Sequence, residues 1–188
     1  MRLVARGAQD PMNGLDDSAR FRNVVMPHID EAYRLAHWLT GNRTDAEDVV
    51  QDAFLRAFRA IREYAGGSPR SWVLSIVRNT AYSWLRKNRP AAIVTVEDLE
   101  AVEIERANPG EPDDATPEAA LIAKVDAERL RAAIGALPAP FRETLVLRDI
   151  EGLDYREIAA ATDVPIGTVM SRLARARRRL LAALKEAE

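Results

Sequence analysis

The sequence predicts an all-α protein built as two small helical domains joined by an acidic, flexible linker. Three observations predict it. Ala, Leu and Arg abound while aromatics make up only 6%, which favours helices over sheets. Apolar residues recur at helical spacing behind capping signals in both halves of the chain. Charge is segregated into blocks, although Lys+Arg (27) and Asp+Glu (29) leave a formal total of only −2. With 188 residues the chain suffices for one ordinary domain or two small ones.

Composition excludes several classes of chemistry. Cys is absent, so disulfides, thiolate catalysis and Cys-ligated zinc are ruled out. His28 and His37 are the only histidines, too few for a His-rich metal site. No apolar run approaches the roughly 18 residues that span a bilayer, and the N-terminus lacks a signal-peptide core. The expectation is a cytoplasmic protein without membrane insertion. The near-neutral total, taken alone, argues against a nucleic-acid binder, but the blocks reverse that. From Tyr64 to Val96 no acid opposes Arg70, Arg78, Arg86, Lys87 and Arg89. From Glu97 to Glu118 nine acids face only Arg106, for a net charge of −8, among Pro109, Pro112 and Pro117. From Val164 to Lys185 the chain is again free of acid and rich in arginine. Two cationic segments around an acidic, proline-containing stretch divide the chain at 1–18, 19–90, 91–116 and 117–188. One domain with a long acidic loop is the less favoured alternative, because structureless loops of that length are uncommon inside compact domains.

Residues 1–18 are polar and aperiodic and are expected to lack structure, with Met12 as an alternative start. A helix is predicted from Phe21 to Leu39, with Val25, Ile29, Leu35 and Trp38 inward and Gly41-Asn42 as its stop. The next begins at a Thr44/Glu47 capping box. It carries Ala46, Val49, Val50, Ala53, Phe54, Ala57, Phe58 and Ile61 as one buried stripe. Its other face shows Asp48, Gln51, Asp52 and Arg56 around an outward Leu55, which suits a partner surface, although a lone exposed Leu is common. Asp45, Asp48 and Asp52 share a face as metal-binding aspartates do. No second acidic cluster or general base accompanies them, so neither a metal nor a catalytic residue is assigned.

Ser68 as N-cap and Pro69 at N1 start a third helix, whose predicted inward stripe is Trp72, Val73, Ile76, Val77, Ala81, Trp84 and Leu85. Outward lie Arg70, Arg78, Arg86 and Lys87 among Ser71, Ser75, Asn79, Tyr82 and Ser83. That face would serve as an ordinary solvated surface, but the lack of acid favours a phosphate backbone with unstacked bases. In the last part, helices are predicted over 117–136, 141–151 and 155–161, the third behind an Asp154/Glu157 capping box. The turn Thr162-Asp163-Val164 then leads into a final helix. Two short helices around such a turn form the helix-turn-helix plan. The final helix buries Val169, Leu173, Ala176 and Leu180 and exposes Thr168, Ser171, Arg172, Arg175, Arg178 and Arg179, suited to bases early and phosphates later.

Three stretches carry a family likeness: Asp45-Ala-Glu-Asp-Val-Val-Gln-Asp-Ala-Phe-Leu-Arg-Ala-Phe58, Ser71-Trp-Val-Leu-Ser-Ile-Val-Arg-Asn79 running on to Arg86-Lys87, and Gly152-Leu-Asp-Tyr-Arg-Glu-Ile-Ala159 with Val164-Pro-Ile-Gly-Thr-Val169 and Ser171-Arg-Leu-Ala-Arg-Ala-Arg177. In this order and spacing they resemble regions 2.2, 2.3–2.4 and 4.2 of bacterial sigma factors, the extracytoplasmic-function (ECF) group of the sigma-70 family. The resemblance implies a region 2 helical bundle and a region 4 helix-turn-helix. It implies that Asp48, Gln51, Asp52 and Leu55 dock on the β′ clamp helices of core RNA polymerase, with the β flap as a further contact. It also implies that Arg70, Ser71, Trp72, Arg78, Asn79, Tyr82, Arg86 and Lys87 take the melted −10 element, with a flipped base held near the Gly66 loop. Thr168, Ser171, Arg172, Arg175, Arg178 and Arg179 would read the −35 duplex. No cofactor is implied, an anti-sigma factor is the expected regulator, and the linker would thread toward the polymerase channels. The alternative is a helix-turn-helix regulator of the response-regulator type. That would need a β/α receiver domain, and the N-terminal half shows no such alternation.

Overall fold

The computed structural model describes the backbone of residues 11–89 and 117–185 and the side chains of residues 16–89 and 127–185. The expected linker, 91–116, lies outside the described residues. All regular structure among the described residues is helical.

The first half consists of α1 (Pro11–Val24), a 3-10 turn at Met26–His28, α2 (Ile29–Thr40), α3 (Arg43–Ala60) and α4 (Pro69–Asn88). The single helix expected from Phe21 to Leu39 is thus divided in two. Pro27 has no N–H to continue the α1 ladder and starts the 3-10 turn instead. Ile29, next to the break, is 40% exposed rather than inward. Part of the stretch expected to lack structure, from Pro11 on, belongs to α1. Asp17 there pairs with Arg62 at 2.6 Å, and Phe21 packs edge-on against Phe54 and Phe58. α2 ends where Gly41 adopts φ 82°, a left-handed conformation that lets its N–H reach the His37 carbonyl at 2.8 Å.

α3 begins two residues earlier than a Thr44 cap would start it. Asn42 caps it, accepting the Asp45 N–H at 2.9 Å, while Glu47 pairs with Arg43 at 2.7 Å instead of folding back on Thr44. α4 starts as read, with Ser68 Oγ accepting the Ser71 N–H at 3.2 Å. Leu35, Leu39, Val49, Ile61, Leu74 and Val77 fill the space between α2, α3 and α4. On α4, Ser71, Leu74 and Thr80 are buried, and Trp72, Ile76 and Trp84 are only partly so. The inward face is rotated slightly from the stripe expected.

The second half contains α5 (Pro117–Ala136), α6 (Ala139–Leu145), a π-helical turn at Val146–Ile150, α7 (Tyr155–Thr162) and α8 (Ile166–Lys185). The predicted capping box of α7 is present. Asp154 Oδ1 accepts the N–H groups of Arg156 and Glu157 at 2.8 Å, and Glu157 Oε2 accepts the Asp154 N–H at 3.0 Å. Asp163 makes the turn at φ 53°, the one non-glycine with positive φ among the described residues. Phe141, Leu147, Leu153, Ile158, Val169 and Leu173 form the core beneath α8. Ile134 of α5 joins it, while Leu130 is 40% exposed; Leu121, Ile122 and Val125 fall outside the described side chains.

The two halves do not stand apart. α7 packs on α4 and α6 packs on α2, and the buried apolar side chains of both halves run into one cluster.

Candidate nucleic-acid interface

The α3 face follows from its periodicity. Asp48, Gln51 and Leu55 are exposed, and Asp52 holds Arg56 at 2.8 Å one turn on. Asp45 is engaged by Arg89 at 3.0 Å and by Asn42. Leu55 is 52% exposed and is not alone. With Gln51 it rims an apolar groove of about 820 Å³ lined by Phe21, Ile29, Tyr33, Val50, Phe54 and Phe58. Phe58, expected inside, is 42% exposed there. Four helices do not cover the full width of the α3 stripe, so its Val50, Phe54 and Phe58 edge is left to line the groove. An apolar trough beside an acidic ridge is the form of a protein-docking surface.

On α4 the expected DNA-contacting residues divide. Asn79, Arg86 and Lys87 are exposed, and Trp72 lies half-buried against Tyr64 with ring centroids 4.9 Å apart. Ser71 is buried and bonds the Ser68 hydroxyl at 3.1 Å. Arg70, Arg78 and Tyr82 are turned toward the second half of the chain. Arg70 donates to Glu31 at 3.1 Å and to the Glu151 carbonyl. Arg78 covers the Tyr82 ring at 4.7 Å and gives both Nε and Nη2 to Glu143, at 2.9 and 3.3 Å.

On α8, Ser171 and Arg179 are exposed, with Arg179 stacked over Phe141 at 5.1 Å, while Thr168, Arg175 and Arg178 are half-buried. Arg172 differs from them. Its side chain keeps 11% of its exposure and its Nη1 lies 3.6 Å from Glu143 Oε1.

Glu143 therefore sits between an arginine of each half. Sequence reasoning did not single it out. The available signal was a lone charge in the apolar run from Leu137 to Leu147, beside Arg142. Its side chain is fully buried. Burial pushes its carboxyl above the usual range, against the pull of Arg78, Tyr82 and Arg172. On Arg78, which keeps some exposure, the attraction of Glu143 outweighs burial and the guanidinium is held more firmly charged. Burial, together with Glu143, keeps the Tyr82 phenol protonated, and its oxygen has no well-formed hydrogen bond among the described residues. Arg34 completes the seam with a bidentate pair to Glu151, both contacts at 2.7 Å, and Arg142 donates to the Leu39 carbonyl at 3.3 Å.

Comparison with known proteins agrees with both halves. The family model for sigma-70 region 2 matches residues 24–91 and that for sigma-70 region 4 matches residues 127–180. The chain is 37% identical over 177 residues to the ECF RNA polymerase sigma factor SigE of Mycolicibacterium smegmatis, covering 94% of this chain and 63% of that protein. It thus spans less than two thirds of that relative. It is 38% identical to the RNA polymerase sigma-H factor of Pseudomonas aeruginosa, covering 90% of this chain and 88% of that one. Among solved structures, the sigma factor RpoE of Bartonella quintana, crystallised with the anti-sigma factor NepR, superposes with a TM-score of 0.64 at 28% identity. That superposition covers 88% of this chain and 96% of RpoE.

Proposed function

Because this chain belongs to the sigma-70 family, in its ECF group, we propose that it binds core RNA polymerase and directs it to a specific set of promoters. The observation that carries this is the presence of both family regions on one chain, each with an acid-free cationic helix face, α4 in region 2 and α8 in region 4. Asp48, Gln51, Asp52 and Leu55, with the apolar groove behind them, form the core-docking face, and the β′ clamp helices are its partner. Arg70, Trp72, Arg78, Asn79, Tyr82, Arg86 and Lys87 bind the melted −10 strand, with Ser71 supporting them. Thr168, Ser171, Arg172 and Arg175 read the −35 duplex, and Arg178 and Arg179 hold its phosphates. The chain has no catalytic role. It lends binding energy to promoter opening, and the chemistry belongs to polymerase. An anti-sigma factor is its regulator, a reading supported by the NepR complex of the RpoE relative.

Run-off transcription with core polymerase on a genomic promoter pool tests the proposal. Discrete promoter-dependent transcripts are expected, and their absence would refute it. The Asp48→Ala/Asp52→Ala double variant should keep its helicity and bind core at least tenfold more weakly in a pull-down titration, since both side chains are on the surface and support no core packing. Undiminished core binding would remove α3 as the docking face.

A further inference from the structure

We propose that Glu143 is a clasp by which the chain masks itself: seated between Arg78 of α4 and Arg172 of α8, it holds the two domains together and withholds both arginines from DNA. The inference rests on the reading of α4 and α8 as DNA-contacting faces, and it adds a regulatory contact made by the chain alone.

Geometry supports it first. Glu143 takes two nitrogens of the Arg78 guanidinium, at 2.9 and 3.3 Å, as a phosphate would take them. The same pattern extends along the seam. Arg34 grips Glu151 through two contacts at 2.7 Å, and Arg70 donates to the carbonyl of that same Glu151. Across the seam Arg34 and Arg78 of region 2 thus meet two carboxylates of region 4, Glu151 and Glu143, which stand against them where phosphates could otherwise bind.

Arg172 supplies the second argument. Its Nε and Nη1 are buried and make no hydrogen bond among the described residues, and its Nη1 stands 3.6 Å from the carboxylate. It is held by charge, with most of its donors idle. A guanidinium in that position gains hydrogen bonds when it moves to a phosphate or a base edge. Buried charge pairs also contribute little net stability, because desolvation offsets attraction. Such a contact suits a clasp that opens. The masking is partial, since Asn79, Arg86, Lys87 and Ser171 stay exposed.

The absence of cysteine allows two labels to be placed, at Glu63→Cys and Lys185→Cys, one at the surface of each domain. Energy transfer between them is read in the full chain, together with binding to a short dye-labelled duplex of mixed sequence. Two variants are compared with the parent: Glu143→Gln, and Arg34→Gln, whose side chain is half-exposed and outside the assigned DNA contacts. Both are expected to lower transfer and to bind duplex about tenfold more tightly, with a salt slope steeper by about 0.9 per arginine released. If Glu143→Gln loses helicity, Arg34→Gln alone decides. Folded variants with unchanged transfer and affinity overturn the clasp, and separation without tighter binding overturns the masking. Run-off transcription by the parent chain is read in parallel. If it succeeds while the variants behave as the parent, only the clasp falls. If it fails while duplex binding tightens, only the sigma-factor reading falls.

Discussion

The Tyr82 hydroxyl is buried beside Glu143 without a well-formed hydrogen bond among the described residues, and it is held protonated there. A buried hydroxyl left in that condition costs about 1–3 kcal/mol of desolvation. Tyr82→Phe removes the oxygen and keeps the ring under Arg78. The variant should be more stable by about 1 kcal/mol, a rise in Tm of roughly 2–4 °C for a chain of this size. A lower Tm would mean that the hydroxyl has a partner of its own. Tyr82 also shows the limit of reading single residues from a helical wheel. Its position on the outward face of α4 is correct for an isolated domain. Its neighbours there include Glu143 and Arg172, about sixty and ninety positions away, and no local pattern encodes them.

Elements were the most legible scale. α7 is an example: Asp154 and Glu157 three residues apart announced a capping box, and both of its hydrogen-bond arms are present. Asp154→Ala removes the side-chain arm, leaving only the bond from the residue-154 backbone N–H to Glu157, and should destabilise the protein by about 1 kcal/mol, as seen by chemical denaturation, because the Arg156 and Glu157 N–H groups then lack their acceptor. A loss below a few tenths of a kcal/mol would show that packing on α4 alone fixes the helix. The boundaries were less legible where two capping residues competed. Asn42 won over Thr44 because Gly41, turning left-handed, delivers Asn42 in extended conformation at the helix entrance. The α3 stripe was read correctly in position but not in depth. Periodicity reports that Val50, Phe54 and Phe58 are apolar, yet whether they face a core or a groove depends on how many helices the chain brings to them.

For the whole molecule, the seam from Arg34 to Glu151 and from Arg78 to Arg172 couples the two domains, and their apolar cores are continuous. Calorimetry of the full chain should therefore show one cooperative transition. Glu143→Gln should resolve it into two, because domains freed from a mutual interface unfold independently. Two transitions in the parent chain would show that the domains are uncoupled in solution. The sequence by itself determined most of the helices, most of their caps, the two regions, the exposed acidic ridge on α3 and the cationic faces of α4 and α8, because caps, periodicity and charge are local properties of neighbouring residues. Only the tertiary structure decided that Arg78, Tyr82 and Arg172 meet at Glu143, and that α3 borders a groove. The physical reason is that burial and ion pairing depend on which distant surfaces close on one another. Glu143 reads in the sequence as one charge in an apolar run and becomes the centre of a seam only when α4 and α8 are brought to it.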